Sequence, residues 1–223
     1  MTALQDQLDE ITANTRRLVQ PDRLAIGERA IEELFVSGIE EKILPVGAAA
    51  PEFTLNDASG HLVRSADLLA LGPLIIKFFR GRWCPYCVTE LEAWRDLHPR
   101  LREAGALLVA ISPQTTRQSD FMVGQHSLPF PVLSDPGCAL AAQFGLSYTI
   151  PDYHRTYYRS VLVNIPFING DSNTGDGSWR LPIPATYVIS PAGRVLYAEA
   201  HADHRVRPDP EEALAVALTA VKS

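Results

Sequence analysis

The sequence predicts an α/β fold with a mixed central sheet flanked by helices. Two continuous apolar runs, residues 73–79 and 106–112, are typical of strands that are buried on both faces. Each run is followed by a segment in which apolar residues recur at helical spacing. Two further apolar stretches, 185–190 and 194–200, are joined by a Pro-Ala-Gly turn at 191–193, which predicts a hairpin.

The first 45 residues are expected to form a helical extension that precedes this α/β core. Apolar residues recur at helical spacing in two segments there, and Pro21 separates the segments. A linker at 44–55 then leads into a short strand, and the sequence Asp-Ala-Ser-Gly at 57–60 predicts a turn. The chain is therefore divided into an extension, 1–45, and a main domain, 46–223.

The remaining elements follow in order along the main domain. The helix after the first buried strand contains Pro99, which is expected to kink or divide it. A helix is predicted over residues 115–126, a short strand over 130–135 and a short helix over 137–145. A closing helix follows Asp209, a residue type suited to capping a helix start.

Residues 148–182 are expected to be irregular. This stretch is rich in aromatic residues, which usually cover a hydrophobic core. A lid or a subunit contact is the alternative interpretation.

Composition excludes several classes of function. The 223 residues carry a formal net charge of -6, with a pI near 5.5, which disfavours electrostatic binding to nucleic acid or anionic membranes. No apolar run approaches the roughly 20 residues that span a bilayer. The polar, acidic start lacks the features of a secretory leader, so a cytoplasmic location is expected. Three cysteines in such a chain do not make a disulfide framework.

The stretch "RGRWCPYC", residues 80–87, carries the strongest chemical signal. Cys84 falls where a helix N-cap belongs, and Pro85 suits the first helical position. Cys87 then lies one turn further on, so the two sulfurs can approach to bonding distance. The helix dipole, together with Arg80 and Arg82, favours a thiolate, which is the reactive form of cysteine.

Other interpretations of these residues stay open. The cysteine pair could bind zinc, but the only further pair of ligands, His201 and His204, lacks the usual spacing. An inert buried pair is a second alternative. The arginines could be ordinary surface charges, and Cys138 is interpreted as a small buried residue rather than a resolving thiol.

Several segments resemble one known family. "WCPYC" after an apolar strand is similar to the active site of the thioredoxin fold, and "CPYC" is the dithiol motif of glutaredoxins. "VGAAAPEFTLNDASG", "VLSDPG", "FINGD" and "ATYVISPAGRVLYA" resemble peroxiredoxin segments. From Val46 to Val221 the chain is similar to peroxiredoxin-like proteins of the alkyl hydroperoxide reductase and thiol-specific antioxidant superfamily.

The resemblance implies a thioredoxin-like fold and an oxidoreductase with Cys84 and Cys87 as catalytic residues and no cofactor or metal. It places Cys87 at the peroxidatic position, Cys84 at the position of the family's Thr, and Arg80 at that of its Pro. The family's arginine before the late strand falls on Pro184, which instead matches the cis-proline of thioredoxins.

The implied function is thiol-dependent reduction of peroxides, with an external thiol system such as thioredoxin or glutathione as the reductant. General thiol–disulfide exchange and a non-catalytic zinc-binding or adaptor module are the alternatives. A homodimer is left open. Substrate contacts are expected from Trp83, Pro85, Tyr86 and Pro184, and the Ile183–Pro184 bond is expected to be cis.

The two lines of reasoning disagree about which sulfur attacks first. The family alignment selects Cys87. Helix geometry selects Cys84, because its side chain lies in front of the free N–H groups and close in sequence to Arg80 and Arg82. We give the geometry more weight and expect Cys84 to attack first.

Overall fold

A computed structural model describes residues 3–170 and 178–221 and shows a mixed sheet with helices on both faces. The strands are β1 Thr54–Asn56, β2 Leu62–Arg64, β3 Leu74–Phe78, β4 Leu107–Ser112, β5 Val132–Ser134, β6 Ser147–Thr149, β7 Arg180–Pro182, β8 Ala185–Ile189 and β9 Val195–Ala200. The helices are α1 Ala3–Leu18, α2 Pro21–Val36, α3 Ser65–Leu69, α4 Pro85–Ala104, α5 Thr116–His126, α6 Ala139–Gln143, α7 Asp152–Ser160, α8 Ile165–Asn169 and α9 Pro210–Ala220.

Seven strands form the central sheet in the order β2-β1-β5-β4-β3-β8-β9. β3 and β4 are parallel, whereas β8 runs antiparallel to both β3 and β9. The predicted mixed sheet and closing hairpin are therefore confirmed. β6 and β7 pair with each other in a separate two-stranded sheet.

The side chains of β3 alternate between two hydrophobic cores. Ile75 contributes to the core on the face that α1, α4 and α9 cover, and this core contains Cys84 and Cys87. Ile76 contributes to the core on the opposite face, which contains Cys138. Because side chains along a strand point alternately to the two faces, Lys77 points to the same face as Ile75 and the cysteine pair.

The N-terminal helices are confirmed, and they pack on the main domain. Leu4 and Leu8 of α1 are buried in the same core as Leu91 and Trp94 of α4. The Thr12 hydroxyl lies 3.1 Å from the Tyr86 hydroxyl, which adds a polar contact between the two helices. The division of the chain into 1–45 and 46–223 stays a prediction.

Pro99 does not divide α4, and a kink at Pro99 stays a prediction. α4 continues through Pro99 to Ala104 without a break. Pro99 is exposed, so water can hydrate the carbonyl that loses its helical partner there.

Residues 148–182 are also more regular than expected, because β6, α7, α8 and β7 lie within them. Tyr158 and Trp179 nevertheless cover a third small core, as the aromatic content predicted. Residues 171–177 of this stretch, and with them Asp171 of "FINGD", lie outside the described residues. None of the described helices is long and apolar enough to span a membrane.

We expect Leu8→Ala to lower the free energy of unfolding by about 2–5 kcal/mol, as other Leu-to-Ala changes in a core do. The Leu8 side chain is 0% exposed, so its removal leaves a cavity against α4. Urea denaturation measures the change, and Leu18→Ala, at a position 76% exposed on the same helix, is the matched control. Equal stability of the two variants would show that α1 is not part of the cooperative core.

Candidate active site

The cysteine pair lies at the start of α4, directly after the buried strand β3. Cys84 is the N-cap residue, with an extended backbone (φ -94°, ψ 107°), and Pro85 begins the helix. This is the arrangement that the sequence predicted. The preceding turn requires Gly81, whose φ is 144° and where a Cβ atom would lie 2.7 Å from Trp83 Nε1.

The two sulfur atoms are 2.9 Å apart and are not bonded to each other. This separation exceeds the roughly 2.05 Å of a disulfide by less than 1 Å. Cys84 is 1% exposed and Cys87 is 0% exposed. A disulfide would therefore form within the core and with little movement of the backbone.

Cys87 is surrounded by hydrogen-bond donors. Arg207 Nη2 donates to Cys87 Sγ at 3.5 Å, and the Arg80 backbone N–H also hydrogen-bonds to this sulfur. The Cys84 and Cys87 sulfurs share a further hydrogen bond, in which Cys84 is the donor once Cys87 is a thiolate. Burial alone raises the pKa of the Cys87 thiol. The hydrogen bond from Cys84 and the charges of Arg207 and Arg80 outweigh that effect and lower the pKa to about 6. The structure thus favours Cys87 as the thiolate at neutral pH.

A buried chain of charges continues behind Cys87. Arg207 Nε donates to Glu90 Oε2 at 2.6 Å, and Lys77 Nζ lies 2.6 Å from the other oxygen of that carboxylate. Lys77 Nζ also donates to the Thr186 hydroxyl at 3.2 Å. All three charged side chains are fully buried, so each depends on the others for the interactions that water would otherwise supply.

Cys84 differs from Cys87 in both charge and access. Burial, its hydrogen bond to Cys87 and the charge on Cys87 raise the pKa of the Cys84 thiol well above its usual value. Cys84 is also the sulfur that lines a cavity of about 230 Å³. Cys84 therefore lines the cavity although it is buried, and the positive groups favour the thiolate at Cys87 rather than at Cys84. Which sulfur attacks first stays a prediction.

Arg80 and Arg82 point to different surroundings. The Arg80 guanidinium is buried, donates to the Tyr158 hydroxyl and lies 4.8 Å from the centre of the Trp83 ring. Its positive charge favours the thiolate form of both cysteines and so acts to lower both pKa values, although at Cys84 the opposing effects are larger. Arg82 instead donates from Nε to Gln118 Oε1 at 2.6 Å. A thiolate-stabilising role for Arg82 stays a prediction.

The cavity in front of Cys84 brings together three of the predicted substrate contacts. Trp83, Pro85 and Tyr86 line it beside Cys84 and Arg80. Its other walls come from α1, α2 and α7, through Thr12, Leu24, Ile31, Tyr157 and other residues. Two of these helices belong to the N-terminal extension, so the extension and the aromatic stretch roof the cysteine pair.

Pro184 does not have the predicted conformation. The described residues contain no cis peptide bond, so the Ile183–Pro184 bond is trans. The antiparallel pairing of Ala185 with Phe78 does place Pro184 beside the end of β3. The Ile183 N–H donates to the Leu146 carbonyl at 2.9 Å. The loop before β6 therefore occupies the position where an extended peptide would pair.

Cys138 lies apart from the cysteine pair, whereas His204 lines the same cavity as Cys84. Cys138 is fully buried in the opposite core, as the sequence predicted, and burial raises its pKa. His201 Nε2 lies 2.8 Å from Glu199 Oε1, whereas the His204 ring packs against Tyr86, 5.5 Å between ring centres. Within 3–170 and 178–221 there is no group of three or more His, Cys, Asp or Glu side chains that could hold a metal ion.

Sequence reasoning missed the buried charges. Two signals were available: a lysine interrupts the apolar run of β3, and Glu90 follows Cys87 by one helical turn on the buried face of α4. A charged residue on a buried face needs a partner. The partner, Arg207, lies 120 residues from Cys87 along the chain, and no local pattern identifies it.

Fold and site together define a thioredoxin-fold protein with a buried cysteine pair. Residues 46–198 match the AhpC/TSA family, and the chain belongs to that family. Among solved structures it is similar to peroxidoxin BcpB from Mycobacterium tuberculosis, with a TM-score of 0.61, 24% identity and coverage of 81% of this chain and 99% of that one. For peroxiredoxin Q from Xanthomonas campestris the TM-score is 0.56 and the identity 23%, with coverage of 82% of this chain and 97% of that one. These likenesses confirm the fold.

Two curated relatives resemble part of the chain. Thiol-disulfide oxidoreductase ResA of Bacillus anthracis is 28% identical over 108 residues, which are 48% of this chain and 61% of that protein. Peroxiredoxin Q, chloroplastic, of Oryza sativa subsp. japonica is 31% identical over 100 residues, 45% and 46% of the two chains. The chain thus spans less than two thirds of the length of each.

We expect Arg207→Met to raise the pKa of Cys87 from about 6 towards or above the usual 8.5, because the variant removes a charged donor from the sulfur. A pH titration of the thiolate absorbance of the reduced protein measures the shift. Arg207→Lys keeps a positive charge at this position, so we expect it to raise the pKa of Cys87 by less than Arg207→Met does.

Arg82→Met is the matched control, and we expect it to leave the titration unchanged. A shift in Arg82→Met equal to that in Arg207→Met would support the original assignment of Arg82.

Proposed function

We propose that the protein reduces peroxides through the Cys84–Cys87 pair, and that an external thiol reduces the resulting disulfide. The observation that carries this proposal is the thiolate site: three donors converge on Cys87 Sγ, with the Cys84 sulfur 2.9 Å away. Membership of the AhpC/TSA family and the similarity to peroxiredoxin Q support it.

In the first step, the Cys87 thiolate attacks one peroxide oxygen. The O–O bond breaks, the sulfur becomes a sulfenic acid, and the alkoxide or hydroxide that leaves takes up one proton. The thiolate is the nucleophilic form of cysteine, so we assign the attack to Cys87 rather than to Cys84. This assignment replaces the expectation from helix geometry.

In the second step, the Cys84 thiol attacks the sulfenic acid, and water leaves as the disulfide forms. The external thiol then attacks the disulfide. We place that attack on Cys84, because Cys84 lines the cavity and Cys87 does not. Cys87 is also the better leaving group, since a thiol of lower pKa leaves faster.

The site favours small substrates over protein disulfides. Both sulfurs lie under the roof of α1, α2 and α7, and the Ile183 N–H is already paired. General thiol–disulfide exchange, which the similarity to ResA favours, remains the second candidate. Trp83, Pro85 and Tyr86 are proposed as substrate contacts. Pro184 as a further contact, a thioredoxin or glutathione system as the donor, a cytoplasmic location and a homodimer stay predictions.

We expect the purified protein to consume hydrogen peroxide or a small organic hydroperoxide in the presence of excess dithiothreitol. It should do so much faster than it reduces the disulfides of insulin. Peroxide consumption and insulin reduction, measured at the same protein concentration, test this order. The reverse order would favour thiol–disulfide exchange as the function.

Single variants separate the roles of the three cysteines. After brief treatment with peroxide, Cys84→Ser should form a sulfenic acid at Cys87 rapidly, whereas Cys87→Ser should react slowly. A sulfenic-acid probe with mass spectrometry measures both. Cys138→Ser should keep most of the activity, because Cys138 lies on the opposite face of the sheet. Faster labelling of Cys84 in Cys87→Ser would assign the first attack to Cys84.

A further inference from the structure

Lys77, Glu90 and Arg207 form a buried cluster with an excess of positive charge. The single carboxylate lies 2.6 Å from each of the two cations, one on each of its oxygens. Arg207 also lies 3.5 Å from Cys87 Sγ. The Cys87 thiolate therefore supplies the second negative charge and brings the sum over these four side chains to zero.

The charges that face Lys77 come from two elements. α4 supplies Glu90 and Cys87, and the segment before α9 supplies Arg207. The neighbouring strands contribute Ala110 of β4 and Thr186 of β8, which are uncharged. α9 covers the same face with the apolar side chains Ala213, Leu214 and Ala217.

Oxidation removes one of these charges. When Cys87 becomes part of a disulfide, its negative charge disappears, and the cluster would keep two cations against one carboxylate in the absence of water. An uncompensated buried charge is costly, so a proton should leave the cluster. Arginine does not lose its proton in proteins, and Glu90 is the carboxylate that lies against both cations. Lysine loses its proton readily when it is buried.

We propose that Lys77 stores a proton for the cysteine pair: it is an ammonium when Cys87 is a thiolate, and it becomes a neutral amine when the disulfide forms. For an organic hydroperoxide, ROOH, Cys84–SH, Cys87–S⁻ and Lys77–NH₃⁺ give ROH, water, the disulfide and Lys77–NH₂. The sulfurs lose two electrons to the O–O bond, and the proton that the leaving oxygen requires is matched by the proton that Lys77 releases.

The structure supports Lys77 as this group. Burial lowers its pKa, while Glu90 and Cys87 raise it, so the loss of the Cys87 charge removes one of the interactions that keep the proton in place. Reduction of the disulfide reverses the change. The inference rests on the redox pair of the proposed function, but not on the identity of the oxidant.

The test counts protons during oxidation by the azo compound diamide, which takes two electrons from the pair and binds two protons as it becomes a hydrazine. Reduced protein at slightly alkaline pH is mixed with diamide in weak buffer containing a pH indicator, and mass spectrometry counts the disulfides formed. Ultraviolet absorbance gives the number of thiolates present beforehand. Without a proton from the protein, each thiolate consumed must take one proton from the solution.

The measured quantity is the number of thiolates lost minus the number of protons taken up, per disulfide. We expect about one for the native protein and about zero for Lys77→Met. Lys77→Arg should also give about zero, because arginine keeps its proton. Lys42→Met alters an exposed lysine whose Nζ donates to the Ser37 carbonyl, and this variant should behave as the native protein does.

A value near zero in the native protein would overturn the proposal without any variant, so the test does not depend on how the variants fold. A value near one in Lys77→Met would assign the stored proton to another group. Failure to form a disulfide with diamide would overturn both this proposal and the proposed function. A disulfide with the expected proton count but no reaction with peroxides would overturn the proposed function alone.

Discussion

The arrangement of this site depends on one constraint, namely that charges placed in a core must be matched there. β3 carries Lys77 on the face that α4 and α9 cover, and α4 carries Glu90 and Cys87 on its buried side. Arg207 joins these charges, with one nitrogen on the carboxylate and another near the sulfur. The contact fixes the segment before α9 against the helix that bears the cysteine pair. A buried ion pair of this kind contributes little net stability, but the removal of one partner is costly.

The elements outside the central sheet determine what can reach the sulfurs. Without α1, α2 and α7, Cys84 would lie at the end of a helix that faces solvent. With them it lines a cavity of about 230 Å³, enclosed partly by apolar and aromatic side chains. The buried thiolate and the cavity are thus separate contributions: the central sheet and α4 position the sulfurs, whereas α1, α2 and α7 restrict access to them. A site built this way suits a small oxidant that crosses the cavity, and a small thiol that returns by the same route.

Much of the fold could be predicted because its signals are local. Apolar runs marked β3 and β4, and the turn at Gly193 marked the hairpin of β8 and β9. Cys84 and Pro85 marked the start of α4, so the cysteine pair was predicted with its spacing and its orientation. The predictions failed where contacts between distant parts of the chain determine the local structure. The Ile183 N–H is paired with the Leu146 carbonyl, which lies far from it in the sequence. Pro99 is tolerated inside α4 because it faces solvent.

The charge distribution of the site could be predicted only in part, for the same reason. Proximity in sequence suggested that Arg80 and Arg82 act together, yet Gly81 lies between them with a φ of 144°, and the turn there directs the two side chains differently. Arg80 turns towards Tyr158 and the cavity, and Arg82 turns towards Gln118. Arg207, not Arg82, supplies the second positive charge near Cys87. Only folding brings Arg207 close to this sulfur, because the two residues are 120 positions apart in the chain.

The same charges bear on how readily the disulfide is reduced. Arg207, the Arg80 N–H and the Cys84 thiol stabilise Cys87 as a thiolate, and a disulfide sulfur loses most of that stabilisation because it carries no charge. Interactions made only in the reduced state favour reduction, so the pair is expected to be a stronger oxidant than one whose thiols are unperturbed. A stabilised Cys87 thiolate and a disulfide that is easily reduced are therefore two consequences of one arrangement. The cluster that lowers the pKa of Cys87 also makes Cys87 the better leaving group when that disulfide is reduced.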